Sequence, residues 1–515
     1  MLYPFFLNKQ KMLGVAQPFG FATPTFIIEP IFSEKNRRKS LTKEPKSAAV
    51  FSKALLKTAL VMKDEPSSLQ GGCTMSSQAA KLKKLLKMTI QEMARNRDQF
   101  TQSPGKDFTR KRKLDFVSVI SILLSMSGGS SASSLMDYFK FDPATASTSA
   151  FVQQRAKLKP DAMEYLFRRF AQESPAKKTF HGYRLLAADG SDLQIFADPN
   201  DEKSYYPGTN GQHPYSLLHL NALYDLENQI YTDALIQKAH NKNEQKALVE
   251  MVDRSAILQA ILLADRGYES YNNIAHLQEK GWKYLFRIKD GTNGILSGLD
   301  LPNTDEFDLP VDLFLTRKQT NAAKQLFHQR NKYKRIPAGK VFDYLPSKCK
   351  KSQPMLTYNL RFRVVRFRLS DSSFETVVTN LPADAFPPTE LKLLYARRWG
   401  IETSFRHLKY TLGLIHFHAK KVEHIYQEIF AKLTMYNFSE LITSSVVIQK
   451  RSTKLSYSVN FSAAVHICRN FFLENVSPPK LEALLSRLLL PIRPGRSNTR
   501  KPAQRPPFSF LYRVA

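Results

Sequence analysis

Two short apolar runs, each ending in an aspartate, constrain the fold of this chain more than anything else in it. Leu185-Leu-Ala-Ala188 closes on Asp189-Gly-Ser-Asp192, and Ile261-Leu-Leu-Ala264 closes on Asp265-Arg-Gly-Tyr268. A run of four apolar residues bounded by turn residues is expected of a strand buried on both faces. Between the two runs, residues 217–224 and 230–237 read as strands joined by the turn Asp225-Leu-Glu-Asn228. A charged, Ala- and Leu-rich helix is expected over 242–259, then a helix over 271–280 and a strand over 284–288. Three early strands leading into a βαβ unit predict an α/β class: a mixed sheet with helices on its faces. If the two apolar strands are adjacent and parallel, Asp189 and Asp265 emerge at the same sheet edge.

A third carboxylate stands far downstream, in Tyr395-Ala-Arg-Arg-Trp-Gly-Ile-Glu402-Thr-Ser-Phe-Arg-His-Leu-Lys409. Tyr395, Arg398, Glu402 and Lys409 are spaced 3, 4 and 7 apart. At ~100° per residue of α-helix they share an arc of roughly 60°. One carboxylate on a stripe with a phenol, a guanidinium and an ammonium suits a divalent cation beside a phosphodiester. The same stripe would also serve as a solvated face with i,i+4 ion pairs. Asp189 before glycine would serve as a turn residue, and Asp265 as a strand-to-helix cap. Asp192 is a rival for the first position, but it starts the next strand instead of ending an apolar run. Asp189, Asp265 and Glu402 are the candidate catalytic and metal-binding residues. Hard Mg²⁺ or Mn²⁺, two ions, is the cofactor such a set would take, cutting and joining DNA by a two-metal route.

The charge balance bears on the partner. Among 515 residues, 76 Lys+Arg face 45 Asp+Glu, a formal net charge of +31, which favours a polyanion whose counterions are released on binding. Cys73, Cys349 and Cys468 form no CxxC pair, so a disulfide framework or zinc site is not expected. His416 and His418 lack a third soft ligand nearby. No apolar run is long enough for a membrane helix, and no secretory pattern opens the chain. A cytoplasmic, nucleoid-associated protein is expected.

The remaining organisation reads as follows. Residues 1–74 carry aromatics, prolines and basic clusters without a period and read as a disordered extension. Residues 75–175 read as a helical DNA-binding module, with helices over 115–126 and 148–158, Ser134 as a cap, and Gln153, Gln154 and Arg155 exposed. The core is expected over 176–289 and 376–445. Residues 290–375 read as a β-rich insertion, in which Leu360-Arg-Phe-Arg-Val364 would turn a basic face outward. Arg361 and Arg363 are its candidate phosphate contacts. Pro387-Pro388 would start one long helix carrying Tyr395 to Lys409. Residues 446–515 read as a helical C-terminal region with a basic tail.

In these motifs the chain resembles bacterial insertion-sequence transposases of the DDE class, in the IS-four family. That family's signature is Tyr, two residues, Arg, three, Glu, six, Lys; Tyr395, Arg398, Glu402 and Lys409 match it without a gap. Asp189-Gly-Ser and Asp265-Arg-Gly-Tyr resemble its two aspartate motifs. The resemblance implies an RNase H-like catalytic core with a β-rich insertion, flanked by helical regions. It implies Mg²⁺-dependent cleavage at transposon ends and strand transfer into target DNA. Tyr395, Arg398 and Lys409 would then grip double-stranded DNA, and a homodimer would hold two ends. Some relatives use a tryptophan in the insertion to hold a flipped base; residues 290–375 contain none. The competing readings are an inactive DNA-binding remnant or repressor, and a non-transposing nuclease on the same fold.

Overall fold

The structure is a computed structural model that describes residues 75–175, 178–208, 213–289, 294–348, 352–370, 373–446, 448 and 455–492. The extension over 1–74 and the basic tail from 493 lie outside the described residues. Among the described residues five α-helices come first: α1 (Met75–Arg95), α2 (Phe116–Ser125), α3 (Ser131–Tyr138), α4 (Thr148–Arg155) and α5 (Ala162–Glu173). Asp115 caps α2 by accepting from Ser118 N, and Ser130, not the expected Ser134, caps α3 by accepting from Ser133 N. Helix α3 thus starts four residues earlier than a cap at Ser134 would place it.

The sheet follows: β1 (Arg184–Ile195), β2 (Tyr205–Tyr206), β3 (Tyr215–Asp225), β4 (Ile230–Lys238), α6 (Glu244–Asp253), β5 (Ala260–Ala264), α7 (Tyr271–Glu279) and β6 (Lys283–Arg287). β3 pairs antiparallel with β1, β2 and β4, whereas β1, β5 and β6 run parallel. The spatial order β4-β3-β1-β5-β6, an antiparallel meander continued by two parallel strands, is the RNase H-like arrangement. Alternate residues of the two apolar runs enter different layers. Leu186, Ala188, Leu262 and Ala264 pack with α6 and α7. Leu185, Ile261 and Leu263 pack under the later Leu391, Leu394 and Tyr395. A strand covered on both sides has no polar face, which is why both runs are continuously apolar.

The segment after β6 adds strands to this sheet. β7 (Phe307–Thr316), α8 (Asn321–Leu326), β8 (Tyr333–Arg335), β9 (Tyr358–Ser370) and β10 (Ser373–Thr379) extend it in the order β6-β10-β9-β7-β8. The arginine-rich strand β9 lies antiparallel to the acidic strand β7, with Asp312 opposite Arg361 and Pro310 opposite Arg363. Arg361 is exposed beside Asp312 at 3.7 Å. Arg363, expected to face DNA, is buried: it bonds both oxygens of Asp308 and donates to the carbonyls of Leu381 and Phe386. Arg368 meets Asp305 and Glu306. The expected outward basic face is not formed: Leu360, Phe362 and Val364 pack on one side, Val365 and Phe367 on the other, and the arginines meet acids on and just before β7. Arg363→Ala should therefore cost about 1–3 kcal/mol in urea unfolding, because it leaves the Leu381 and Phe386 carbonyls without their donor. Arg361→Ala should fall within about 0.5 kcal/mol of the parent.

The chain then enters α9 (Pro388–Ala396) and α10 (Trp399–Arg406), followed by a π-helical turn over His407–Thr411. Pro387-Pro388 starts α9 as expected, with Glu390 in its first turn. The single long helix expected from the motif is instead interrupted. Arg397, Arg398, Gly400 and Ile401 donate to carbonyls three residues back, which tightens the turn between α9 and α10. Helix α11 (Val422–Thr443) is buried along almost its whole length. β11 (Ser456–Val459), α12 (Phe461–Phe472), α13 (Pro478–Arg487) and β12 (Leu489–Ile492) complete the described chain. Helices α1–α5, α11, α12 and α13 share one hydrophobic core with the α10 residues Ile401 and Phe405 and with Ala187, Leu220 and Tyr224 of the sheet. Gln154 and Arg155, expected at an exposed tip, are buried in it. Among the described residues no helix is long and apolar enough to cross a membrane.

Candidate active site

The parallel register of β1 and β5 ends at Ala188 opposite Ala264. Asp189 and Asp265 are the next residues on each strand, so they leave the sheet side by side. Beyond that point β1 continues against β3, with Asp189 opposite Ala222, while β5 stops. Asp189 Oδ1 accepts from Gly190 N at 2.8 Å, and Asp265 Oδ1 from Arg266 N at 2.7 Å. Each carboxylate is thus steadied by the amide that follows it. Asp265 also opens a short 3₁₀ turn, Arg266–Tyr268.

Glu402 reaches the same edge from α10, and Arg398 joins the pair. The Arg398 guanidinium lies 3.6 Å from Asp189 Oδ2 through Nη1 and 2.9 Å from Glu402 Oε1 through Nη2. Asp189 and Glu402 therefore stand within the span of one buried guanidinium. Burial raises both carboxyls above their ordinary values; Arg398 opposes the rise, and the neighbouring acids add to it. For Asp189 those acids are Asp265 and Glu244, and for Glu402 they are Asp189 and Asp265. Burial works against the Arg398 charge, but Tyr395 and the carboxylates of Asp189, Glu402 and Asp265 outweigh it and raise the group above its ordinary value.

The four motif residues do not form the even stripe that an unbroken helix would give. Tyr395 is 5% exposed and Arg398 4% exposed, so neither presents itself to DNA as the sequence reading expected. The Tyr395 and Tyr268 hydroxyls and Arg398 Nε are buried with no protein hydrogen-bond partner. Burial pushes both phenols up. Lys409, carried on the π turn, is part-exposed and donates to the Asp192 carbonyl at 2.9 Å. Asp192 itself turns away from Asp189. Its carboxylate bonds His219 Nδ1 at 2.6 Å.

Two residues with no sequence signal complete the surroundings. His219, on β3, is 1% exposed and contacts Asp192 and, through Nε2, Glu244 Oε1 at 3.1 Å. Glu244 is the first residue of α6, and Lys242 Nζ lies 3.1 Å from it. Burial alone would lower the His219 imidazole, but the bond to Asp192 and the nearby Glu244 carboxylate raise it above its ordinary value.

Among the described residues no three His, Cys, Asp or Glu side chains stand together as a ready ion cage. The donor chemistry nevertheless suits a hard divalent cation: carboxylate oxygens only, crowded by like charge, with orphaned polar atoms beside them.

The pattern of the "Transposase DDE domain" family matches residues 180–438, half of the chain. The chain belongs to that family. Residues 180–438 run from the approach to β1 through α11, so the DDE domain takes in the sheet, both aspartates and Glu402. This DDE-family chain is 22% identical over 327 residues to a transposase for insertion sequence element IS231F from Bacillus thuringiensis subsp. israelensis. That alignment covers 57% of this chain and 66% of the relative, so the chain spans just under two thirds of that relative's length. A solved piggyBac transposase synaptic complex with hairpin DNA is similar at a TM-score of 0.38 and 10% identity, over 82% of this chain and 87% of that one.

Proposed function

We propose that this protein is an insertion-sequence transposase that cuts DNA at the ends of its element and joins them to target DNA. The observation that carries the reading is the pairing of Asp189 with Asp265 at the ends of adjacent parallel strands, with Glu402 tied to Asp189 through Arg398. Family membership and the likeness to an insertion-sequence transposase support it.

In this reading Asp189, Asp265 and Glu402 hold two divalent cations, Mg²⁺ or Mn²⁺. When bound, such a pair supplies an activated water or 3′-hydroxyl and charge stabilisation for the leaving oxygen. Arg398 keeps Asp189 and Glu402 together before any substrate arrives. The Tyr268 and Tyr395 hydroxyls offer donors that water or phosphate oxygens at the site would satisfy. Lys409 is the motif residue best exposed to a phosphate. Lys409→Ala should weaken binding to end DNA and lower the slope of log K against log salt by about one. A gel-shift titration over a salt series measures this, and an unchanged slope would remove Lys409 from the phosphate contacts.

A second surface supports DNA as the partner. Lys106, Arg110, Arg112 and Lys157 line one open cavity of about 430 Å³ whose lining contains no carboxylate. Unlike the arginines of β9, these cations meet no acidic strand there, so their charge is available to a duplex backbone. Two element ends must be brought together, so a homodimer on DNA is part of the proposal. A DNA substrate also places the protein on the bacterial nucleoid in the cytoplasm.

The test is to incubate purified protein with short duplexes carrying the terminal inverted repeat of the flanking element, plus Mg²⁺. Joined products are the expected result. Products that are cut but never joined would indicate a nuclease. A shifted band without cleavage would indicate a DNA-binding remnant or repressor.

A further inference from the structure

The two aspartate-bearing turns are not merely neighbours; both rest on the same third carboxylate. A Cβ at Gly190, directly after Asp189, would collide with His219 Nε2, lie 2.7 Å from His219 Cε1 and lie 3.1 Å from Glu244 Oε1. A Cβ at Gly267, two residues after Asp265, would lie 3.3 Å from Glu244 Oε2. One oxygen of Glu244 therefore faces each turn, and glycine stands at both places of closest approach. The next residue of α6, Gln245, donates to the carbonyls of Gly267 and Glu269 at 3.1 and 3.3 Å. That ties the start of the helix to the Asp265 turn through the backbone as well.

Glu244 is in turn fixed from behind. His219 bridges Glu244 and Asp192, and Lys242 Nζ lies 3.1 Å from Glu244 and 3.6 Å from Asp192. The Asp192 carbonyl accepts from Lys409. One chain of contacts thus runs from the Asp265 turn through Glu244 and His219 to Asp192, and on to the motif lysine. It passes against the backbone of Gly190 on the way. His219 comes from β3 and Glu244 from α6, elements whose sequence carries no catalytic motif. The position of Glu244 is not required by the hydrophobic core, since it is partly exposed beside the site.

We infer that Glu244, held by His219, is a positioning residue that sets the separation of the Asp189 and Asp265 carboxylates for ion binding. The inference rests on the proposed metal-dependent transposase reading. Glu244 contributes shape and a carboxylate oxygen set 3.1 Å from His219 Nε2, at a fixed distance from both turns, while the ions are held by Asp189, Asp265 and Glu402. Outer partners of this kind change metal affinity by about 10- to 100-fold when removed.

The test reads ion binding directly. Mn²⁺ is titrated into the full-length protein and free ion is followed by electron paramagnetic resonance, with no DNA and no turnover. Glu244→Ala and His219→Gln should each weaken Mn²⁺ binding by about tenfold, while Glu244→Gln, which keeps the volume and an acceptor for His219, should stay near the parent. Thermal midpoints without metal are measured alongside, because damage to folding alone would lower the midpoint and spare the affinity of the folded protein. If Glu244→Ala does not fold, His219→Gln carries the comparison with Glu244→Gln. Parent-like Mn²⁺ affinity in the Ala and His219 variants would overturn the inference. Equal loss in Glu244→Gln and Glu244→Ala would overturn it too, by making Glu244 an ion ligand. A parent protein that binds no Mn²⁺, or an Asp265→Ala variant that binds it as well as the parent, would instead sink the metal-dependent reading itself.

Discussion

Asp265→Ala is expected to bind element-end DNA about as well as the parent and to cleave it slower by roughly three orders of magnitude or more. Binding and chemistry use different groups. The cations at Lys409 and in the cavity lined by Lys106, Arg110, Arg112 and Lys157 remain in place. Losing one negative charge near a phosphate slightly favours binding if it does anything. Chemistry should fail because Asp265 is one of two carboxylates leaving the sheet at the end of a shared parallel register, and Asp189 and Glu402 without it are too few to hold two cations. The alanine also removes the acceptor that opens the Arg266–Tyr268 turn, a loss of about 1 kcal/mol. Asp265→Asn separates the two effects, since asparagine keeps the cap and lacks the charge. Both variants should therefore show the same block in single-turnover cleavage with Mg²⁺. Cleavage by Asp265→Asn at the parent rate would end the catalytic assignment, while a defect confined to Asp265→Ala would reduce it to a turn residue.

How far the sequence reached depended on whether the signal was local. Leu185–Ala188 and Ile261–Ala264 announce strands covered on both faces, and a βαβ crossover makes them parallel neighbours. The meeting of Asp189 and Asp265 was therefore legible across more than seventy residues. The helical spacing of Tyr395, Arg398, Glu402 and Lys409 singled out a helical segment that reaches Asp189, but not its geometry. The tightened turn at Arg397 and Arg398 and the π turn at Lys409 alter the winding that the stripe assumed. Tyr395 and Arg398 are buried, and Arg398 faces both Asp189 and Glu402. Contacts between single polar residues on distant elements left no trace at all. His219 and Glu244 sit in ordinary strand and helix sequence, and only the packed fold brings them under Gly190 and Gly267. Arg363 and Arg155 failed for a related reason. Periodicity tells which face a side chain takes, not whether another segment covers that face. The acidic residues Asp305, Glu306, Asp308 and Asp312 were the available clue to the fate of the β9 arginines, once an antiparallel partner for β9 is considered.

Arg155→Ala should be the most destabilising change outside the site, at about 3–5 kcal/mol. Arg155 ties α4 to α11: its Nε donates to Gln427 at 2.9 Å, Nη1 to Glu428 at 2.8 Å, and Nη2 to the His424 carbonyl. The side chains of Arg155 and Glu428 are 3% and 1% exposed, so removing the guanidinium leaves a carboxylate that water cannot reach. Burial pushes the Glu428 carboxyl up, but Arg155, His418 and Lys432 outweigh it and hold the group well below its ordinary value. A carboxyl depressed by folding contributes stability that is present above its unfolded pKa and is lost as pH falls through the folded value. Without Arg155 the burial effect gains ground and Glu428 takes up a proton more readily. The deficit of the variant should therefore be largest near pH 7 and shrink towards pH 4, where the parent still has a charged Glu428 and the variant does not need one. Urea unfolding at both pH values measures the difference. The double variant Arg155→Ala/Glu428→Ala should cost less than the sum of the single changes, because it leaves no stranded charge. A deficit independent of pH, together with additive single changes, would mean that Arg155 acts through packing alone. The seam between α4 and α11 would then owe nothing to the ion pair.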